Sequence, residues 1–139
     1  MDGLPKIIQG GMGVAISNWR LAQTVSRLGH LGVVAGTALD QVLARRLEDG
    51  DPGGHCRRAF DAFPFPGIAE RVWSRYYIPG GKAPDTPYIR LPFHGLACPR
   101  PLAEDCLLGN FVEVFLAREG HANPVGINYL EKIQTPHLV

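Results

Sequence analysis

The stretch that most constrains this chain is residues 6–13, Lys-Ile-Ile-Gln-Gly-Gly-Met-Gly, in which a short apolar run ends in three glycines around one methionine. An apolar run of this length between Pro5 and Gly10 is too short for a helix and predicts a buried β-strand. Glycine permits positive φ angles and close approach to the backbone, so Gly10, Gly11 and Gly13 are typical of a strand end that opens onto a ligand. An ordinary turn from strand to helix uses the same residue types, and the stretch alone leaves both interpretations open.

The residues that follow complete a βαβ pattern. Ser17 is a candidate N-cap, and apolar residues follow it at helical spacing as far as Gly29, which can end the helix. These apolar residues are Leu21, Ala22, Val25 and Leu28. Residues 31–36, Leu-Gly-Val-Val-Ala-Gly, predict a second short strand. Residues 1–37 therefore predict one βαβ unit with parallel strands and a right-handed crossover.

Residues 38–101 interrupt this alternation of strands and helices. Three helices are predicted, over 38–48, 55–63 and 68–77, with charged residues on their solvated faces. The charges assigned to solvent are Arg45, Arg46, Glu48, Arg58, Asp61, Glu70, Arg71 and Arg75. Residues 78–101 are rich in proline and predict irregular, extended chain. A loop of this length is typical of a lid, a binding loop or an interface arm, or else of a mobile segment.

Residues 102–139 predict a long helix, a third strand and the start of a further helix. The helix is indicated by apolar residues at helical spacing, by Glu104 and Asp105 near its N-terminal end and by Gly120 after it. Its apolar positions are Leu107, Leu108, Phe111, Val112, Phe115 and Leu116. Residues 125–129, Val-Gly-Ile-Asn-Tyr, predict a buried strand that carries Asn128 at its end. Ligands of α/β proteins lie at the carboxyl ends of strands, so Asn128 is expected beside the glycine turn, although an asparagine there could equally cap the next segment.

Composition argues against several classes of protein. Fourteen basic and thirteen acidic residues give a net charge of +1 without a block of like charge, so neither nucleic acid nor an anionic membrane is an expected partner. The start of the chain lacks a leader-like apolar segment, and no apolar run approaches membrane-spanning length, so we expect a soluble, cytoplasmic protein. Cys56, Cys98 and Cys106 form neither Cys-x-x-Cys pairs nor a metal-ligand spacing with the histidines, which predicts reduced thiols and no metal site.

No catalytic residue emerges from local patterns. His94, in the proline-rich loop, suggests catalysis by its residue type, but no acid or nucleophile can be placed beside it from the sequence. A dinucleotide site of the Rossmann type is an alternative, but residues 11–16 lack the third glycine or alanine of that motif. Asp40 also lies too far along the chain from these glycines to be the ribose ligand. The chain also has no P-loop, nucleophile elbow or zinc motif. A methionine, backbone N–H groups and an amide at two strand ends instead suit a planar, polarizable cofactor.

Three segments resemble nitronate monooxygenases, formerly called 2-nitropropane dioxygenases, which are FMN-dependent (β/α)8-barrel enzymes. The segments are residues 7–14, Ile-Ile-Gln-Gly-Gly-Met-Gly-Val; 28–37, Leu-Gly-His-Leu-Gly-Val-Val-Ala-Gly-Thr; and 124–134, Pro-Val-Gly-Ile-Asn-Tyr-Leu-Glu-Lys-Ile-Gln. Residues 75–82 and 110–114 look like one branch of the same family. The resemblance covers nearly the whole chain.

The resemblance implies an FMN cofactor, with Gly11, Met12 and Gly13 against the flavin from the first strand and Asn128 against it from the third. It also implies that an alkyl nitronate or nitroalkane is oxidised with O2 to a carbonyl compound and nitrite. FMN-dependent enoyl-acyl-carrier reductases have a related first strand and a similar Gly-Asn strand end, so a reductase is an alternative. A non-catalytic α/β domain that binds a ligand or partner through the glycine turn or the proline-rich arm is another.

The fold class expected is α/β, the N-terminal part of an FMN-binding TIM (β/α)8 barrel. Residues 1–37 would form the first βαβ unit, 38–101 a helical and proline-rich insertion between the second and third strands, and 102–139 the helix, the third strand and the start of the next helix. Such a barrel takes roughly 250 residues, so the phosphate-binding loops and the catalytic histidine are expected beyond Val139, or a second chain completes the barrel. The isolated chain is expected to be inactive. None of its histidines matches the position of that base: His30, His55, His94, His121 and His137.

Overall fold

A computed structural model of the chain describes residues 4–130. These residues form two compact units, one comprising the chain up to Thr37 together with residues 113–130, and the other comprising residues 38–112. The predicted start of a further helix at 134–139, with His137, lies outside the described residues. None of the helices within residues 4–130 is both long enough and apolar enough to cross a membrane.

The first unit is built on two parallel strands. Strand β1 (Gly32–Ala35) follows helix α1 (Trp19–Arg27), and strand β2 (Val125–Asn128) pairs with β1 so that Ala35 lies opposite Asn128. Both strands lie where the sequence predicts them. The expectation that the third strand is buried is wrong, because every residue of β2 is half-buried whereas all of β1 is buried. Within residues 4–130, β2 has a strand partner on one side only.

The predicted first strand is reduced to a single bridge between Ile8 and Leu31. The backbone pairing starts as expected, since Gln9 N–H donates to the Leu31 carbonyl at 3.0 Å. The backbone pairing then stops because the Gln9 side chain replaces the backbone as the acceptor: Gln9 Oε1 accepts from the N–H of Val33 at 3.0 Å. Ile8 is 63% exposed, so the prediction that this run is buried is also wrong for the residues described.

Helix α1 is capped by Asn18, not by Ser17. The Asn18 side chain accepts from the N–H groups of Arg20 and Leu21, which is the usual capping arrangement. Ser17 instead completes the edge of β1, because its hydroxyl donates to the Val33 carbonyl at 3.1 Å and its carbonyl accepts from Ala35 N–H at 2.8 Å.

The buried face of α1 also differs from the prediction. Trp19, Ala22 and Ser26 are buried, whereas Leu21 and Leu28 are exposed. The helix approaches β1 so closely that a Cβ added to Gly32 would lie 1.9 Å from the Ala22 carbonyl oxygen. A small residue on each side, Ala22 on the helix and Gly32 on the strand, is what permits this approach.

The second unit is helical. It contains α2 (Leu39–Glu48), a short 3-10 helix (Pro52–Gly54), α3 (His55–Ala62), α4 (Pro66–Tyr76) and the residues up to Val112 of α5 (Arg100–Arg118). These bounds lie within a few residues of the predicted ones. Its fully buried side chains include Leu43, Leu47, Val72, Leu102, Leu108 and Val112. Residues 77–99 form neither helix nor strand, as the prolines predict.

Several charges assigned to solvent are instead paired or buried. Arg71 and Arg75 of α4 contact Glu104 and Asp105 of α5, at distances as short as 2.7 Å for Arg71 to Glu104 and 2.6 Å for Arg75 to Asp105. Glu48 is buried at the end of α2, where its Oε1 accepts from the N–H of Ile89 at 2.9 Å. The irregular segment is therefore tied to α2, because a buried carboxylate needs donors.

The two acidic side chains of α5 respond oppositely to this environment. Hydrogen bonds from Arg71 lower the pKa of Glu104 to about 2, with Arg100 and Arg75 acting in the same direction. Burial raises the pKa of Asp105, although Tyr76 donates to it at 2.5 Å and Arg75 lies beside it. Glu104 faces three guanidinium groups, whereas Asp105 lies deeper, and burial outweighs its partners.

Candidate functional site

The C-terminal end of β2 meets the glycine turn in the first unit. Asn128, the last residue of β2, places its Nδ2 3.3 Å from the Gly11 carbonyl oxygen and 3.0 Å from the Met12 sulfur. The same amide nitrogen lies 3.5 Å from the Gly10 carbonyl oxygen. Three of the four residues predicted to bind a cofactor, Gly11, Met12 and Asn128, are thus in direct contact.

Backbone geometry holds this arrangement in place. Gly11 has a φ of +64°, and a Cβ there would lie 2.5 Å from the Val33 side chain, so only glycine fits. Gly13, the fourth predicted residue, directs its carbonyl at the N–H groups of Ile16 and Ser17, at 3.1 and 2.7 Å. Gly13 therefore turns the chain toward α1 and does not touch Asn128 through a described hydrogen bond.

The turn offers groups that suit a flat heteroaromatic ligand. Met12 is 61% exposed, and a Cβ added to Gly10 would have no heavy atom within 4 Å, so the space beside the turn is open. The backbone N–H groups of Gly11, Met12 and Gly13 donate to no other residue among those described. A thioether that can pack on a ring and a row of directed donors fit the ring system of a flavin.

In the second unit, His94 has partners that the sequence did not reveal. Its Nε2 lies 3.3 Å from Asp40 Oδ2 and 3.8 Å from Cys106 Sγ. Asp40 belongs to the first turn of α2, His94 to the irregular segment and Cys106 to α5. Asp40 lies 54 positions from His94 in the sequence, and Cys106 lies 12 positions from it. Sequence spacing cannot predict such a cluster. The only indication in the sequence is the presence of residue types that occur in catalytic and metal sites.

This Asp-His-Cys cluster does not have the geometry of a nucleophilic triad. In such a triad the acid binds one imidazole nitrogen and the nucleophile approaches the other, whereas here both Asp40 and Cys106 approach Nε2. Burial raises the pKa of the Cys106 thiol to about 12, and the nearby carboxyl groups of Asp40 and Asp105 act in the same direction. A nucleophilic cysteine needs a lowered pKa, so we assign no catalytic role to the cluster.

Comparison of the chain with protein-family models, with curated proteins and with solved structures finds no match in any of the three.

Proposed function

We propose that this chain is the N-terminal part of an FMN-dependent oxidoreductase of the (β/α)8-barrel type, which oxidises alkyl nitronates with O2 to a carbonyl compound and nitrite. The observation that carries the proposal is the convergence of Asn128 on Gly11 and Met12 at the carboxyl end of parallel strands. That edge is where barrel enzymes hold their ligands.

The order of the strands supports the same assignment. Ile8 forms a parallel bridge with Leu31, the residue before β1, and β1 pairs in parallel with β2. Neighbours in chain order, all parallel, are what successive barrel strands form. The remaining strands would come from outside residues 4–130, either from further chain or from a second chain. We place the protein in the cytoplasm, since none of Cys56, Cys98 and Cys106 forms a disulfide.

Each predicted residue has a defined part in this proposal. Met12 packs against the ring, the backbone N–H groups of Gly11 and Gly13 bind its polar edge, and the Asn128 amide fixes the turn that presents them. FMN, when bound, supplies the electron acceptor that links substrate oxidation to O2. The protein's share is binding and orientation, and no described residue is assigned as the base.

Binding of FMN to the purified chain tests the cofactor assignment. Quenching of flavin fluorescence gives the affinity of the chain and of its Asn128→Ala variant, which we expect to bind about threefold to tenfold more weakly after losing one oriented amide. Asn123→Ala is the matched control, because the Asn123 amide donates to the Ser26 carbonyl and not to the turn. Equal losses of FMN affinity in Asn128→Ala and Asn123→Ala would contradict the assignment of the flavin to this turn and favour a non-catalytic domain.

Turnover by the flavin-loaded protein tests the reaction. We expect O2 uptake and nitrite release that depend on added propyl nitronate once further chain or a second chain completes the barrel, and no turnover by the isolated chain. Oxidation of NADPH that depends on an enoyl thioester, without nitronate turnover, would assign the same site to a reductase and overturn the nitronate assignment.

A further inference from the structure

The Asp-His-Cys cluster brings three different metal-binding atoms together within the second unit. Asp40 Oδ2, His94 Nε2 and Cys106 Sγ all lie within 4.8 Å of one another. Asp40 and Cys106 are buried, and the His94 side chain is 10% exposed, so the cluster lies just below the surface. Donor atoms that converge from separate segments on one small volume are the arrangement that a bound metal requires.

The two separations from His94 are close to those between ligands of one metal ion. The His94 to Asp40 distance of 3.3 Å exceeds the about 2.7–2.9 Å of a charge-assisted hydrogen bond. Around tetrahedral Zn²⁺, bonds of about 2.0 Å to nitrogen and oxygen and about 2.3 Å to sulfur place nitrogen and oxygen about 3.3 Å apart and sulfur and nitrogen about 3.5 Å apart. The observed distances are 3.3 and 3.8 Å.

A second observation at the same place points to a cation-binding role for Asp40. Asp40 is 1% exposed, and its other carboxylate oxygen, Oδ1, has no hydrogen-bond partner among the described residues. A buried carboxylate oxygen without a donor keeps its full desolvation penalty. A cation bound by the same carboxylate would compensate this cost.

We propose that Asp40, His94 and Cys106 bind a divalent transition metal, with Zn²⁺ the ion that best suits a thiolate, an imidazole and a carboxylate. Cys106 binds as the thiolate, and its proton is released to water. A water molecule takes the fourth position on the exposed side of His94. The ion clamps the irregular segment 77–99 to α2 and α5, and the inference does not depend on the flavin assignment.

Cobalt is the probe for this site. The chain is stripped with a chelator and titrated with Co²⁺, and we expect one equivalent to give the visible absorption of a tetrahedral site together with a thiolate-to-cobalt charge-transfer band, both abolished by Zn²⁺. The variants Cys106→Ala and His94→Gln should weaken binding by more than the about 10- to 100-fold that loss of an outer-shell partner causes. Cys56→Ala is the matched control, since Cys56 is also a buried cysteine and lies outside the cluster.

Proteolysis gives a readout of the clamp that does not depend on colour. Arg90 is exposed in the irregular segment, and we expect Zn²⁺ to slow tryptic cleavage after it in the wild-type chain but not in His94→Gln. His94 lies in irregular chain, so this variant keeps the helices intact even if Cys106→Ala disturbs the core, and circular dichroism checks both. The proposal is overturned if no cobalt spectrum appears, or if the spectrum survives in both variants.

Discussion

Substitution of Gly32 by alanine tests the close approach of α1 to β1, on which the strand ends of the first unit depend. The added Cβ would lie 1.9 Å from the Ala22 carbonyl oxygen and 2.6 Å from the Ala22 carbonyl carbon. Real Cβ atoms essentially never approach other heavy atoms to within 3.0 Å. The helix and the strand must therefore separate by about 1 Å, and both are backbone elements that cannot rotate away as a side chain would.

The expected cost follows from this geometry. Overpacking of a core typically destabilises by about 1–3 kcal/mol. Because the atoms met are helical backbone, we expect about 3 kcal/mol for Gly32→Ala, a large part of the about 5–15 kcal/mol that stabilises an ordinary domain. Separation of α1 from β1 also shifts the turn at Gly11, so we expect weaker FMN binding by the same variant.

Urea unfolding followed by far-UV circular dichroism measures the change in the free energy of unfolding. Alanine substitutions at two other glycines serve as comparisons. A Cβ on Gly36 would lie 2.9 Å from the side chains of Ile127 and Tyr129, which can move, so Gly36→Ala should cost about 1 kcal/mol. A Cβ on Gly10 would meet nothing within 4 Å, so Gly10→Ala should change stability by less than about 0.5 kcal/mol. Equal stability of Gly32→Ala and Gly10→Ala would refute the packing of α1 on β1.

Two further predictions concern buried polar groups. The pKa of Glu104 is lowered from 4.5 to about 2 in the folded chain. Its contribution to the free energy of unfolding is therefore complete above the unfolded pKa of 4.5 and is lost as the pH falls from 4.5 to about 2. The shift corresponds to at most about 3 kcal/mol, and screening of the exposed Arg71 and Arg100 reduces it to about 1–2 kcal/mol. Glu104→Gln should therefore lower the free energy of unfolding at pH 7 and make it fall less steeply below pH 4.5, as measured by urea unfolding across pH. An unchanged fall in stability below pH 4.5 would contradict this. Ser26 Oγ donates to the Pro124 carbonyl and accepts from Gly32 N–H, so Ser26→Ala should cost about 1–3 kcal/mol in thermal melts. Thr24→Ala, whose exposed hydroxyl bonds only within α1, should cost less than about 0.5 kcal/mol; equal losses for the two would contradict a structural role for Ser26.

The secondary structure could be predicted where its signals are local. Apolar spacing and flanking glycines and prolines place α1, α2 and β2 within a few residues of their observed bounds. The first strand could not be predicted correctly, because it ends where the Gln9 side chain replaces the backbone as the partner of Val33. That exchange depends on a residue 24 positions away, which periodicity does not detect.

The two candidate sites also differ in how far they could be predicted from the sequence. The contact of Asn128 with the glycine turn follows from a general rule, that parallel strands present their carboxyl ends at one edge. The meeting of His94 with Asp40 and Cys106 follows from the path of an irregular segment, for which no comparable rule exists. Likewise, Arg71 and Arg75 lie on a helix face that looks solvated by composition until the partner helix α5 is placed beside it.

The contact between Asn128 and Gly11 joins residues 117 positions apart, and this separation sets the order in which the chain can fold. A ribosome that adds about 5–20 residues per second needs roughly 6 to 23 seconds to pass from one residue to the other. The described part of the second unit runs without interruption from Ala38 to Val112, so its helices can pack during that interval. Strand β1 must wait for β2, which makes the glycine turn with its amide partner the last part of the described chain to become ordered during synthesis.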